Sequence, residues 1–478
     1  MEYRRLAASQ PGSILLETTR ELPGKRARSF FFSEPVEWLQ VRRLGDLPHL
    51  FARLQAAKTA GLWAAGYLSY ECGYHWEPTA APGFEPATGG LPLAAFGLYR
   101  QPVPFAGGAR YTGLGRGVDD FSFAIAPEAF TEKVAAIQKW IETGDTYQVN
   151  LTNRIRADFR ADFRAGFCAR FRGSPDELFT HIMETQPVEF GALLRVGEQC
   201  IVSASPELFF ELKGRNITVR PMKGTAPRGR DAAEDAARAA ALAADEKNRA
   251  ENIMIVDLLR SDLGRVAEMG SVQVRKLFTV EQFPSLLQMS SEITAELRPD
   301  IDMYALFGSL FPSGSIVGAP KVRTMQLLRE LESRERGVYT GAIGFMAPSG
   351  EAVFSVAIRT AVLEGERLEM GVGAGITYDS HAAAEYAECL LKAEFLRERP
   401  FGLIETMRWK GGCCPLLGRH MDRLGASAAY FGFRFEPERI LQALAAHTAG
   451  LAGESAWKVR MVLDRAGVPV FSPVEQLG

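Results

Sequence analysis

The chain has 478 residues, 47% of them hydrophobic and 23% charged, and a net charge of −2. That length exceeds one ordinary core, so two or three units or one large composite domain are expected. A near-neutral balance, without a basic patch interleaved with aromatics, argues against binding nucleic acid or an anionic membrane and favours small-molecule chemistry. The first twenty residues lack the basic-then-apolar order of a signal peptide, and no apolar run is long enough to span a bilayer. A cytoplasmic protein is expected. The cysteines Cys72, Cys168, Cys200, Cys389, Cys413 and Cys414 show no CxxC pairing or zinc-type cluster and read as reduced thiols, mostly packing residues.

Residues 1 to about 118 alternate short apolar runs with Pro and Gly. GLWAAGYLSYECGYHW reads as a strand entering a turn and a second element, and QPVPFAGGARYTGLGRG as a loop. The aromatics Trp63, Tyr67, Tyr70, Tyr74 and Trp76 are expected to pack in a core. From Phe121 to Ile155 the pattern is strand, helix, strand: Pro127 stands near a helix start, Val134, Ile137 and Ile141 recur at helical spacing, and Gly144-Asp145 closes the helix. Residues 157–171 look like the edge of a helical hairpin and carry no assigned chemistry.

Ser205 to Leu263 gathers an acid, an amine and a second acid. Glu207 opens an apolar run, Leu208 to Phe210, that would normally enter a sheet. Lys223 ends the β-prone run Asn216 to Met222 and meets Gly224, so its amine is expected to project from a strand end beside a turn. Asp231 to Asp245 is Ala-rich, helix-forming and without a clear apolar stripe, an exposed helix or a mobile connector. Glu251 shares a helical face with Met254, Ile255 and Leu258, where a carboxylate needs a cation, a metal or hydrogen bonds. Taken singly, each of the three also reads as a solvated or salt-bridged surface residue.

Ile343 to Val362 and Arg367 to Ile376 read as β-rich, and the glycines of GVGAGITYDS as an anion-facing turn or an ordinary one. On the helix from about Ala382 to Arg397, Glu385, Glu388 and Lys392 form one stripe with Cys389 and Leu396. A divalent cation is one reason to keep two carboxylates on adjacent turns, and a plain Glu388–Lys392 surface pair is the other reading.

The phrases GDTYQVNL, SPE, RPMKGT, RAENIMIVDLLRSDLGRV, GSIVGAPK, AIRTA, GAGITYDS and EYAECLLKAEFL together resemble the chorismate-utilising enzymes, which include anthranilate, isochorismate, salicylate and aminodeoxychorismate synthases. The resemblance implies an α+β fold of two subdomains, with packed antiparallel sheets and flanking helices: a β-rich part at 1–118, which in some members holds a tryptophan pocket, and a chorismate-binding catalytic part at 119–397. It implies Mg2+ held by Glu251 and Glu388 with Glu385 beside it. Arg359, Lys392, Gly373, Gly375, Thr225 and Gly318 would meet the substrate.

Lys223 stands where anthranilate synthases carry Ala, and the resemblance makes it a nucleophile that adds to chorismate C2, with Glu207 as general acid for the departing C4 hydroxyl. Gln288 stands where the family often has a histidine that helps eliminate pyruvate, and glutamine cannot exchange protons. The expected product is therefore 4-amino-4-deoxychorismate, on the way to 4-aminobenzoate and folate. Val317 replaces a frequent threonine, which removes one hydroxyl contact. No glycine-flanked cysteine nucleophile of a glutaminase is found, so ammonia would come from solution or, by resemblance, from a glutamine amidotransferase subunit. The alternatives are anthranilate or isochorismate synthesis, or a non-catalytic subunit that binds chorismate or tryptophan.

Residues 398–478 form a short α/β piece. GLIETMRW and GRHMDRLGASAAYFGF resemble the first part of the fold-type IV pyridoxal-phosphate enzymes, aminodeoxychorismate lyase among them, with Arg423 matching a cofactor-phosphate contact. Lys458 reads as a strand residue, and the sequence ends at Gly478 before the stretch expected to hold a Schiff-base lysine. No lyase activity is expected. The piece reads as a truncated unit or as a structural remnant, a packing or dimer surface.

Overall fold

A computed structural model describes residues 2–20, 28–87, 89–107, 118, 121–158, 173–365, 367–397, 401–451 and 455–477. The main body is built on two antiparallel sheets of ten strands each. The first runs Gly318–Ala319, Gln148–Asp158, Arg367–Ile376, Thr360–Glu364, Gln199–Ser205, Phe190–Val196, Ile14–Glu17, Phe30–Phe32 and Val103–Pro104, with Ser122–Phe123 also paired to Gln148–Asp158. The second runs Met222–Pro227, Leu286–Glu296, Asn216–Arg220, Leu208–Lys213, Ala352–Val356, Ala342–Met346, Trp63–Leu68, Ala94–Tyr99 and Glu37–Val41, with Gln273–Gln282 also paired to Leu286–Glu296.

Many of these strands are almost wholly apolar because both of their faces are covered. Ile14, Leu194 and Ile201 stand in register and join Tyr67, Ile343 and Phe345 of the second sheet in an inter-sheet core. Their chain neighbours Leu15, Leu193 and Val202 point the other way, into a core shared with Leu178 and Ile182 of the helix Pro175–Thr185. Residues 1–118 therefore make no layer of their own. Ile14–Glu17 pairs with Phe190–Val196 and Trp63–Leu68 with Ala342–Met346, so a boundary at 118 divides the chain but not the sheets. The early aromatics split between the two cores: Trp63 packs on Phe30, Phe32 and Phe345, and Trp76 on Phe51, Tyr304 and Phe311.

Three local expectations need correction. Asn216 to Met222 is not one strand: Pro221, which has no N–H to donate, separates Asn216–Arg220 from Met222–Pro227. Lys223 lies inside the second of these. There Met222 pairs with Ser290 and Thr225 with Gln288, so the Lys223 strand carries one residue more than its partner and bulges. Gly224, at φ +94°, takes the backbone turn that a side chain would resist. Second, Gly373 and Gly375 are strand residues opposite Thr152 and Asn150, not a turn. A long antiparallel partner, Gln148–Asp158, holds them extended. Third, Ala157 and Asp158 belong to that strand; the rest of the expected hairpin, and most of the loop before Val118, lie outside the described residues, as does Cys168.

The segment after Lys223 is the helix Ala232–Ala244, capped by the Asp231 side chain and set on Leu287 and Met289 through Leu242. The helix Glu246–Gly264 follows and carries Glu251. The main body ends with the helix Ala382–Ala393, on which Cys389 is buried. Beyond it, Leu403–Lys410, Ala456–Leu463, Pro469–Phe471 and Glu475–Leu477 form a separate four-stranded sheet. The helices Leu417–Phe431 and Pro437–Thr448 accompany this sheet, and the unit has its own core. No helix among the described residues is long and apolar enough to cross a membrane.

Candidate active site

Period-two alternation builds one wall of the site. In the strand Gln148–Asp158, Val149 and Leu151 are fully buried, while Asn150 and Thr152, alternating with them, turn to a cleft of about 350 Å³. The opposite walls come from the bulge at Lys223, the helix bearing Glu251, and the helix bearing Glu385, Glu388 and Lys392. Glu207, Lys223, Thr225, Glu251, Gln288, Arg359, Gly373, Gly375, Glu385, Glu388 and Lys392 all line this one cleft. That volume suits a small ring with two carboxylates.

Glu207 is almost fully buried at the start of the strand Leu208–Lys213. Burial pushes its carboxyl up to about 7, although the Ser315 hydroxyl donates to its Oε1 at 2.5 Å and Lys223 lies near enough to oppose the shift. Lys223 Nζ donates to Asn150 Oδ1 at 2.9 Å. Burial lowers the pKa of this amine, the charge of Lys392 adds to that, and Glu251, Glu207 and Glu388 oppose it. An acid held partly protonated and an amine biased toward its neutral form thus line one cleft.

The helices bearing Glu251 and Glu388 separate their charges differently. Lys392 Nζ pairs with Glu388 Oε1 at 2.7 Å and donates to the Gly373 carbonyl at 2.9 Å. Burial works against the Lys392 charge, but the charge and hydrogen bond of Glu388, with Cys389 and Tyr339, together lift the amine above its ordinary range, while Lys392 lowers Glu388. Glu251 accepts from Gln148 Nε2 at 3.1 Å, and Glu385 from the Ser380 hydroxyl at 2.7 Å. Burial raises both carboxyls, and the nearby charge of Glu388 adds to each.

Arg359, between two strands at φ +51°, sets its guanidinium 5.5 Å from the Phe283 ring and donates to Gln186. Gly373 and Gly375 keep the floor clear: a Cβ at Gly373 would lie 2.7 Å from the Leu151 carbonyl oxygen, and one at Gly375 2.6 Å from Gln148 Nε2. Gly318 does not line the cleft. At φ +132° it lets the chain pass the strand behind, where a Cβ would strike the Gln148 carbonyl oxygen. Val317 is fully buried and also lies off the cleft.

Magnesium can be tested against these donors. No group of three acidic, histidine or cysteine side chains among the described residues is disposed as a metal cage. Glu251 and Glu388 nevertheless face one cleft and feel one another's charge. Mg2+ is commonly held by one or two carboxylates with water and substrate oxygens, so this pair fits such a site, with Glu385 alongside.

Sequence reasoning missed Asn150, Gln148, Ser315 and Arg336, which hold the charged groups in place. Gln148, Asn150 and Thr152 carried a signal in QVNLT, polar residues at every second position alternating with buried Val149 and Leu151. Ser315 carried none, since its contact with Glu207 spans 108 residues. Arg423 lies elsewhere, in the C-terminal unit, where its guanidinium grips buried Glu405 at 2.5 and 2.9 Å beside His420. Lys458 is a strand residue, paired with Glu475 at 3.0 Å.

Sheets of this order around such a cleft define a chorismate binding enzyme: residues 109–398 match that family's model, and the chain belongs to it. Residues 402–472 match the model for class IV amino-transferases. More particularly, the chain is 41% identical over 261 residues to aminodeoxychorismate synthase component 1 of Klebsiella aerogenes, 55% of each chain. It is 38% identical over 301 residues to anthranilate synthase component 1 of Streptomyces coelicolor, 62% of this chain and 57% of that one. It thus spans little more than half the length of the curated relatives it matches. Among solved structures, anthranilate synthase component I of Streptococcus pneumoniae superposes with a TM-score of 0.65 at 26% identity, covering 79% of this chain and 93% of that one. The menaquinone-specific isochorismate synthase of Escherichia coli shares the fold, with a TM-score of 0.61 at 15% identity, covering 83% and 91%.

Proposed function

We propose that the chain aminates chorismate to 4-amino-4-deoxychorismate, as the large component of an aminodeoxychorismate synthase. The observation that carries this reading is the placement of Lys223 and Glu207 together in one cleft, the amine lowered by burial and the carboxyl raised to about 7 by it. A neutral amine and a protonated acid are the pair that an addition–elimination requires.

Arg359 and Lys392 hold the substrate carboxylates, a guanidinium being suited to a two-point grip. Lys223 Nζ forms a bond to ring C2, the two ring double bonds shift in turn, C1=C2 to C1=C6 and C5=C6 to C4=C5, and the C4–O bond breaks. Glu207 delivers the proton with which that oxygen leaves as water. Ammonia then bonds to C4, both double bonds shift back, and the C2–N bond to Lys223 breaks, restoring the free amine. Glu251 and Glu388 would hold magnesium, which offsets carboxylate charge and orients the ring. Gln288 in the cleft has no exchangeable proton of suitable acidity, so the product keeps its enolpyruvyl group. Ammonia comes from a glutamine amidotransferase partner, or in the test tube from ammonium. The second reading, anthranilate formation, is favoured by the similarity to the Streptomyces coelicolor protein. Product analysis after incubation with chorismate, ammonium and magnesium separates the two: 4-amino-4-deoxychorismate supports the proposal, and 2-aminobenzoate or isochorismate overturns it.

A further inference from the structure

Among the described residues Lys223 ends on a single side-chain acceptor, and the direction of that contact has chemical consequences. Asn150 Oδ1 accepts from Lys223 Nζ at 2.9 Å, while Asn150 Nδ2 donates to the Ser315 carbonyl oxygen at 3.1 Å. A carbonyl can only accept, so the amide's NH2 end must face Ser315 and its oxygen must face the amine. The Asn150 main chain is fixed as well. Its carbonyl accepts from Arg336 Nη2 at 2.7 Å, and Arg336 is itself held by Glu332 at 2.8 Å.

Were the amide reversed, its N–H would point at Nζ and occupy the lone pair that a nucleophile needs. In the observed sense the amine gives one N–H to Oδ1 and keeps its lone pair unengaged. Room for this pair comes from Gly375, the register partner of Asn150: a Cβ there would lie 3.3 Å from Lys223 Nζ and 3.4 Å from Asn150 Oδ1. The same amide ties the nucleophile to the acid, because the Ser315 residue whose carbonyl it holds gives its hydroxyl to Glu207 at 2.5 Å.

We infer that Asn150 is a positioning residue: its amide, oriented by the Ser315 carbonyl, turns the Lys223 amine so that the lone pair faces the substrate ring. The inference rests on the reading of Lys223 as a nucleophile.

The test begins with substrate-free protein in magnesium-free buffer, where Lys223 faces Glu207, Glu251, Glu388 and Lys392. Trace acetic anhydride labelling across pH, read at Lys223 by peptide mass spectrometry, reports when the amine loses its proton. Asn150→Asp sets a carboxylate against Nζ and is expected to move that midpoint up by about one pH unit or more. Asn150→Ala removes the acceptor and is expected to slow formation of the chorismate adduct about a hundredfold, with chorismate affinity unchanged. It also serves if the Asp variant does not fold. An unmoved midpoint in Asn150→Asp, or a parental adduct rate in Asn150→Ala, overturns the inference while leaving Lys223 as nucleophile. If the parent protein forms no adduct although the Asp variant shifts the midpoint, the nucleophile reading itself falls, and the inference with it.

Discussion

At the scale of single residues, the site works by holding two groups away from their ordinary charge. Burial raises the Glu207 carboxyl to about 7, so the folded state prefers its protonated form. The sign follows from linkage: this group's contribution to stability is fully present below the ordinary carboxylate range and is lost as pH rises through about 7. As a general acid it must also be protonated. The rate of adduct formation with chorismate, measured without ammonia by rapid quench and intact mass, is therefore expected to fall above about pH 7. Glu207→Gln should lose turnover while keeping chorismate affinity; a variant as fast as the parent would remove Glu207 from this role. The apolar setting needed for that shift was legible in Leu208, Phe209 and Phe210. The Ser315 hydroxyl that donates to the same carboxyl was not, because it reaches the site through a contact remote in sequence.

At the scale of elements, the helix Ala382–Ala393 carries a stripe whose two readings make different predictions. Glu388 is paired with Lys392 at 2.7 Å and also faces Glu251 across the cleft. If it helps to hold magnesium, Glu388→Ala should raise the magnesium concentration for half-maximal amination by at least about tenfold. An unchanged metal titration would leave the stripe as an ion pair alone. The strand Arg367–Ile376 makes a second case. Gly375→Ala would bring a methyl group within 2.6 Å of Gln148 Nε2 and 3.3 Å of Lys223 Nζ. Amination should fall by at least about tenfold as the amine is displaced, while the unfolding midpoint, followed by circular dichroism, changes little; full activity would show the floor to be roomier than the structure makes it.

Elements whose period is local were readable. The strand, helix and strand between Phe121 and Ile155 announce themselves by a change of spacing and appear as Ser122–Phe123, Pro127–Glu142 and Gln148–Asp158. The bulge that aims Lys223 was hidden, because an extra residue exists only relative to the partner strand Leu286–Glu296, more than sixty positions away. Gly373 and Gly375 misled for a related reason: glycine suits a turn as well as a strand that must leave a cleft clear, and only the pairing with Asn150 and Thr152 decides.

At the scale of the whole molecule, strands from the first hundred residues complete both sheets, so folding depends on long-range pairs such as Ile14 with Leu194 and Ala342 with Leu68. No local pattern specifies such partners. Phe307 sits where these parts meet, with ring centroids of Phe51, Phe210 and Phe354 at 5.2–5.4 Å. Phe307→Ala should destabilise the protein by about 3–5 kcal/mol in urea unfolding, and a loss under about 1 kcal/mol would mean that the surrounding rings close over the gap. The C-terminal unit meets the main body just after the Lys223 strand: the Tyr430 hydroxyl donates to the Gly229 carbonyl, and Arg228 lies 5.0 Å from the Tyr430 ring and donates to its carbonyl at 2.8 Å.

The proposed chemistry turns on a covalent bond between one amine and one ring carbon. Protein incubated with chorismate and magnesium but no ammonia, quenched in acid and weighed intact, should carry chorismate minus one water on the peptide containing Lys223, and Lys223→Ala should carry none. No added mass in the parent, or the same mass at another residue, would contradict the account.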